Sequence, residues 1–406
     1  MSEQVFHVIG MTDNQTCSFP VEVCTIIQRG KVFSGGKRHH EIVASMLPED
    51  AVWIDITVPL DLVFSQYEAY DEIIVFASGD PLFFGFANTL KKRLPEAIIK
   101  VFPTFNSLQL LAHRLLLPYQ DMRIVSLTGR PWQKFDEALI RGEKMMGILT
   151  DRQKTPSSIA ERMLEYGYDN YRMTIGVHLG NRQLEEIHTL SLEEVVGKEF
   201  GFPNCLILEQ TYQRERLFGI PETSFHLLDG REKMITKCAI RLQTLSFLDL
   251  YKKQTFWDIG FCTGSVSIEA KLQFPHLQIH SFECRQEGEI LMRQNTRKFG
   301  VPGIEPHIGD FMQMDVAHLP APDAVFIGGH GGKLKEMLHK IDKLLLPGGC
   351  IVLNSVSENS LRLFREGVEA IGAIWSRSSS LSTRTSPKRP LTIDPFFCST
   401  CALSFL

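Results

Sequence analysis

Trp257-Asp258-Ile259-Gly260-Phe261-Cys262-Thr263-Gly264-Ser265-Val266-Ser267-Ile268-Glu269 reads as a buried β-strand, a glycine-punctuated turn and the first turns of a helix. Open α/β sheets use such a junction to hold a nucleotide-like ligand against the helix N-terminus. Outward from it, strand and helix alternate regularly. A helix is expected over about 236–250. Strands are expected over 255–259, 278–282, 305–308, 324–327 and 350–354. Helices from Ser265, over 286–299 and over 334–345 fall between them. Apolar runs of this length, separated by helical periods, predict a doubly wound, mostly parallel sheet.

The spacing narrows the ligand. Gly260 permits a sharp turn, and Gly264 lets a helix start approach a ligand without a Cβ in the way. The glycines are spaced G-x-x-x-G with Cys262 between them, and none follows at Ser265, Val266 or Ser267. The dinucleotide fingerprint G-x-G-x-x-G is therefore incomplete, which disfavours NAD. Asp258 and Glu283 fit S-adenosylmethionine better, because that cofactor carries a cationic sulfonium and no phosphate. Glu283, about 20 residues beyond Gly260, is placed to take both ribose hydroxyls. Asp310, ending the third strand, can accept from the adenine amino group. Each has a plainer reading: a tight turn, a solvated strand end, a helix N-cap. In order, at successive strand ends, they point to S-adenosylmethionine.

At 406 residues the chain should hold two or three domains. It is 44% hydrophobic and 22% charged, the balance of a globular protein with real cores. A net charge of −4 gives no electrostatic footprint for nucleic acid or an anionic membrane. No apolar run approaches the ~20 residues that span a bilayer. Ser2-Glu3-Gln4 leads straight into Val5–Ile9, unlike a signal peptide. Nine scattered cysteines fit a reducing, cytoplasmic setting. Cys398 and Cys401 form a lone C-x-x-C with no second pair to complete a zinc site, so no metal is expected.

The N-terminal half alternates too. Strands are expected over 5–9, 72–77, 98–102, 123–126, 144–149, 173–178 and 205–209, with helices following residues 36 and 85 and over 107–116 and 156–165. The pattern lapses around 211–225. The expected division is 1–213, in lobes of about 1–105 and 106–213, then 214–375, then an atypical tail over 376–406.

Here a resemblance becomes plain. Thr236-Lys237, Trp257–Gly260, Thr263–Glu269, Asn295, Phe299-Gly300, Leu319–Gly329 and Leu346–Gly349 closely resemble the C-terminal half of the precorrin-6Y C5,15-methyltransferase (decarboxylating) family of the cobalamin pathway. The likeness covers roughly 219–370 and implies a class I, Rossmann-like methyltransferase domain. Ser78-Gly79-Asp80-Pro81-Leu82-Phe83-Phe84-Gly85, Ser107-Leu108-Gln109 and Ser126–Pro131 are similar to the tetrapyrrole methylase fold, two α/β lobes flanking a trough for a flat macrocycle. Two departures stand out. Gly10-Met11-Thr12-Asp13-Asn14 keeps one glycine of a usual Gly-x-Gly-Pro-Gly-like loop, and Thr128 stands where His is common.

The resemblance implies that Thr236, Gly260, Phe261, Cys262, Thr263, Gly264, Glu283, Asp310 and Phe311 contact S-adenosylmethionine in the C-terminal site, and Gly10, Ser78, Gly79, Asp80 and Ser107 in the N-terminal one. Arg130, Gly328, Gly329 and Asn354 are substrate-binding candidates. Arg130 suits a carboxylate by bidentate pairing, or is a surface Arg near a turn. His330, in a Gly-Gly-His-Gly-Gly loop, could move a proton near neutral pH or simply face water. Lys237 could hold a substrate carboxylate. The implied activity is methylation of precorrin-6B at C5 and C15 with loss of the ring-C acetate carboxyl. The C-terminal module would serve C15 and the decarboxylation, and the N-terminal one C5. The alternatives are a chain in which only the C-terminal module is active, and a non-catalytic precorrin carrier. A small-molecule tetrapyrrole partner and a homo-oligomer are expected. From about Ile374 the Ser/Pro-rich sequence loses its pattern. This predicts a divergent terminus or altered reading frame that leaves a sheet edge poorly covered.

Overall fold

The computed structural model describes every residue except 1–3, 15–18, 356, 372–373, 384–394 and 405–406, and only the backbone of 374–383 and 395–404. The sequence folds in order as β1 (Val5–Met11), α1 (Val21–Arg29), β2 (Val32–Gly35), α2 (Lys37–Val43), β3 (Val52–Asp55), α3 (Asp61–Tyr67), β4 (Glu72–Ser78), α4 (Phe86–Arg93) and β5 (Ile98–Phe102). Then come α5 (Ser107–Leu115), β6 (Arg123–Ser126), α6 (Gln133–Arg141), β7 (Met145–Leu149), α7 (Pro156–Glu165), β8 (Tyr171–Val177), β9 (Glu186–Ser191), α8 (Leu192–Val195) and β10 (Asn204–Gln210). The remainder is α9 (Cys238–Phe247), β11 (Thr255–Ile259), α10 (Ser265–Gln273), β12 (Gln278–Glu283), α11 (Glu287–Phe299), β13 (Ile304–Ile308), β14 (Ala324–Ile327), α12 (Leu334–Asp342), β15 (Cys350–Ser355), α13 (Glu358–Ala370), β16 (Ile374–Thr383) and β17 (Pro395–Ser404).

The chain divides into two compact units. The first comprises Met1–Arg130, Lys144–Glu161 and Asn170–Tyr212, and the second Pro131–Glu143, Arg162–Asp169 and Gln213 onward. The first unit holds two five-stranded sheets. One, ordered β3-β2-β4-β1-β5, is parallel throughout. Its central strands β1 and β4 are buried along most of their length, the mark of a strand covered on both faces. The other, ordered β6-β7-β10-β8-β9, is mixed, with β6 and β7 parallel and the rest antiparallel.

The second unit holds one seven-stranded sheet ordered β13-β12-β11-β14-β15-β17-β16. Its first five strands are parallel. The strand order reverses at β11, so the crevice above the carboxyl ends of β11 and β14 is the topological switch point. Successive residues of β11 feed opposite faces. Phe256 packs with Val266, Leu245 and Val352, while Trp257 packs with Leu338, Phe364 and Ile351.

The tail corrects one expectation. It does not leave the β15 edge open: β17 pairs antiparallel with β15, and β16 with β17. Both strands are rich in Ser and Thr, so a search for continuous apolar runs passes over them. The side chains of Cys398 and Cys401 lie outside the described residues.

Candidate functional site

In the second unit, β11 delivers Asp258, fully buried, beneath the turn that follows. Gly260 adopts φ +78°, and a Cβ there would come within 2.6 Å of Gly329 N. Gly328 N–H donates to Ile259 O at 2.8 Å. Gly260, Gly328 and Gly329 thus let two loops cross at backbone contact, and both loops face the crevice at the strand ends. Gly264, at φ +73°, precedes α10, and a Cβ there would meet Met292 Sδ at 2.5 Å. Cys262 also lies in the left-handed region, at φ +50°. Burial first, then Glu283, pushes its thiol up to about 11, so it stays protonated at neutral pH.

Glu283 ends β12 and is 2% exposed. Its Oε2 accepts from Cys262 N–H at 2.9 Å, and its Oε1 accepts from Arg285 through the backbone N–H at 3.1 Å and the guanidinium at 3.0 Å. Asp258 Oδ2 accepts from Ser267 Oγ at 2.5 Å. Asp258 Oδ1 and Thr263 Oγ1 are buried without a hydrogen-bond partner among the described residues. Burial raises the Asp258 carboxyl to about 7. Unpaired buried acceptors are costly unless a ligand supplies the donor. Two such atoms beside the glycine turn fit the ammonium end of an amino-acid-bearing cofactor such as S-adenosylmethionine.

Thr236 is half-buried, and its carbonyl accepts from Arg241 at 2.8 Å. Arg241 is fully buried and paired at 2.9 Å with fully buried Glu269, which also accepts from Gly219 and Ile220 N–H. Lys237 is exposed at the start of α9. Asp310 is exposed. Its Oδ1 accepts from Met312 N–H at 2.9 Å and its Oδ2 from Lys333 Nζ at 2.8 Å, and the Lys333 hydrogen bond holds its carboxyl below the usual range. Phe311 packs edge-on against Trp257 and Phe282. Phe261 is buried among Ile268, Met292 and Phe299. His330 accepts from Gly332 N–H at Nδ1 (3.2 Å), which leaves the proton on Nε2 to donate to Ser360 Oγ at 3.1 Å. Burial lowers its pKa. Asn354, at the end of β15, pairs with Thr244 Oγ1.

In the first unit, a cavity of about 690 Å³ is lined by both of its sheets. That volume lies within the ~300–1,000 Å³ range of small-molecule sites. Gly10 is required by the chain itself: a Cβ would lie 2.0 Å from Gly79 O. Gly79 adopts φ +62° and donates to Met11 O at 2.8 Å. Ser78, Gly79 and Ser107 line the cavity. Asp80 instead accepts from Leu82 N–H and shapes the turn. Arg130 lines the cavity, bonds Ser126 Oγ at 2.8 Å and lies 5.1 Å over the Phe84 ring.

A polar cluster there escaped sequence reasoning. Arg38 and His39 both bond Ser78 Oγ, at 3.0 and 2.9 Å, and Asp13 pairs with Arg38 and with His178. Burial, then Arg38, lowers His39 to about 4, so it is neutral. The available signal was Lys37-Arg38-His39-His40 directly after the β2 strand end, where open sheets bind ligands.

Comparison with known proteins gives two family models. Residues 6–196 match the Tetrapyrrole (Corrin/Porphyrin) Methylases and residues 228–384 the Precorrin methyltransferase domain. The chain is 31% identical over 353 residues to a precorrin-6Y C(5,15)-methyltransferase [decarboxylating] from Sinorhizobium sp, covering 86% of this chain and 84% of that one. It is 32% identical over 170 residues to a cobalt-precorrin-6B C(15)-methyltransferase (decarboxylating) from Salmonella typhimurium, covering 42% of this chain and 86% of that one. Among solved structures, a precorrin-6y C5,15-methyltransferase from Geobacter metallireducens is similar at 30% identity and TM-score 0.42, over 47% of this chain and 98% of that one.

Proposed function

The chain belongs to the precorrin-6Y C5,15-methyltransferase (decarboxylating) family, and from that premise we propose that it methylates precorrin-6B at C5 and C15 and removes the ring-C acetate carboxyl. The observation that carries the reading is the pair of orphaned acceptors, Asp258 Oδ1 and Thr263 Oγ1, beside the left-handed turn at Gly260. S-adenosylmethionine would supply the methyl groups. In the second unit Asp258 and Thr263 would hold its ammonium, Glu283 would take its ribose hydroxyls, and Asp310 would accept from its adenine amino group. Their work would be to fix one orientation of the methyl donor.

An electron-rich ring carbon needs no strong base to accept a methyl group. Loss of the carboxyl needs a proton placed on the macrocycle. His330, at the carboxyl edge of β14, would deliver it as imidazolium and return to the neutral form that keeps its proton on Nε2. Asn354, at the end of β15, and the Gly328-Gly329 backbone, which follows the neighbouring β14, would take the substrate's polar periphery, and Lys237, exposed at the start of α9, would pair a substrate carboxylate. In the first unit the cavity bounded by Ser78, Gly79, Ser107 and Arg130 is the C5 site, and Arg130 pairs a substrate carboxylate.

The test is incubation of the full chain with precorrin-6B and S-adenosylmethionine, with methyls gained and carboxyl lost read by mass spectrometry. Asp258→Asn should abolish the C15 methyl and the decarboxylation and leave the C5 methyl. Product lacking any added methyl from the unmodified chain sinks the reading.

A further inference from the structure

On β12 and β13, the two strands that lead to Glu283 and Asp310, three potential metal ligands converge on one face. Parallel pairing sets His280 opposite Glu305 and Phe282 opposite His307. Residues two apart on a strand share a face, so Glu305 and His307 both stand beside His280. His280 Nδ1 lies 3.1 Å from His307 Nε2 and 3.3 Å from Glu305 Oε2. The three ligand atoms lie within 4.8 Å of one another.

A single proton on His280 Nδ1 serves one of the two lone pairs facing it. A cation between the three atoms serves all of them. Four-coordinate zinc, with bonds of ~2.0–2.1 Å at tetrahedral angles, holds its ligand atoms ~3.3 Å apart. The two close separations have that spacing. The rings are also held in place. His307 stacks on Phe282, with centroids 4.9 Å apart and planes within 20°, and the His280 side chain is 4% exposed. Glu305, 69% exposed, leaves an entry path from solvent. A cavity of about 380 Å³ adjoins His307, with His318 on its wall.

We propose that His280, Glu305 and His307 form a binding site for a divalent transition-metal ion of the zinc class, with His318 or water completing the coordination. Two imidazoles and one carboxylate suit zinc or cobalt(II) and are too poor in oxygen for calcium or magnesium. The ion clips edge strand β13 to β12, three residues before Asp310. Such a clip answers the usual weakness of an edge strand, which is paired on one side only.

The experiment is titration of the reduced full chain with Zn2+ by calorimetry and with Co2+ by visible absorption. Co2+ distinguishes this site from cysteine sites, because thiolate ligation adds an intense near-ultraviolet charge-transfer band. The expected result is one saturable equivalent per chain, cobalt bands without the thiolate transition, and an affinity weakened about 100-fold in His307→Ala. Glu305→Gln, at an exposed position that the fold tolerates, should also weaken binding while circular dichroism stays unchanged. Absence of a saturable equivalent, a thiolate band, or unchanged affinity in Glu305→Gln overturns the proposal and leaves a proton-bridged cluster.

Discussion

Cys262 N–H donates to Glu283 Oε2 at 2.9 Å, tying a left-handed loop residue to the acid that ends the neighbouring strand. The bond aims a buried carboxylate, and the chain holds φ at +50° to make it. A β-branched residue tolerates that conformation worst. Cys262→Val should therefore lower stability by about 1–2 kcal/mol and weaken binding of S-adenosylhomocysteine, while Cys262→Gly should match or exceed the parent. Thermal denaturation and calorimetry of the three chains check this, and a fully stable Cys262→Val chain contradicts it.

Glu269 and Arg241 form an ion pair with no solvent access, and each also satisfies backbone groups of the 219–236 segment. Removing one partner strands the other charge. Glu269→Ala should cost about 3–5 kcal/mol in denaturant unfolding, a larger loss than any surface pair shows. The exposed pair Arg93–Asp61 is the control, because Asp61→Ala should cost at most about 1 kcal/mol.

Legibility in the sequence followed burial. β4 and β11 were readable because strands covered on both faces are continuous apolar runs. β2 and β3 have four residues each, and β3 buries only Ile54, so neither carries a period long enough to recognise. β9 mixes half-buried and exposed residues and so shows no continuous apolar run, and the Ser/Thr-rich edge hairpin of β16 and β17 shows none either. Among site residues, Asp258, Glu283 and Gly260 announced themselves by standing at successive strand ends. The Asp13–Arg38–His39–Ser78 cluster did not, because it joins residues from three separate strand ends. His280 with Glu305-Pro306-His307 was findable only once β12 and β13 were known to be neighbours.

His330 is neutral near pH 7, since burial lowers its pKa and its Nδ1 accepts from Gly332. The proton must therefore come from the minor imidazolium form, and neither Ala nor Gln, whose amide keeps a hydrogen bond but no transferable proton, replaces it. His330→Ala and His330→Gln should both slow decarboxylation by roughly 100-fold, with C5 methylation unchanged in both. Carbon dioxide release measured against methyl incorporation reads the two steps separately. Equal loss of both in His330→Ala would show that the residue only supports the fold through Ser360.

Asp258 links the site to pH. Burial raises its carboxyl from 3.8 to about 7, so between those values the folded chain binds a proton that the unfolded chain has released. Stability therefore falls as pH rises from about 4 to about 7 and levels off above, a change on the order of 4 kcal/mol from this group alone. Asp258→Asn keeps the shape and removes the titration, so its stability curve should be flatter and lie above the parent's at pH 8. Binding runs the other way. The carboxylate that destabilises the empty chain is the form that receives a cation, so affinity for S-adenosylmethionine should rise through pH 7 in the parent and stay low and flat in Asp258→Asn. Unfolding midpoints at pH 5 and pH 8, with binding isotherms at the same two values, settle it. A parent more stable at pH 8 than at pH 5, relative to Asp258→Asn, would show that Asp258 ionises in the empty chain without cost.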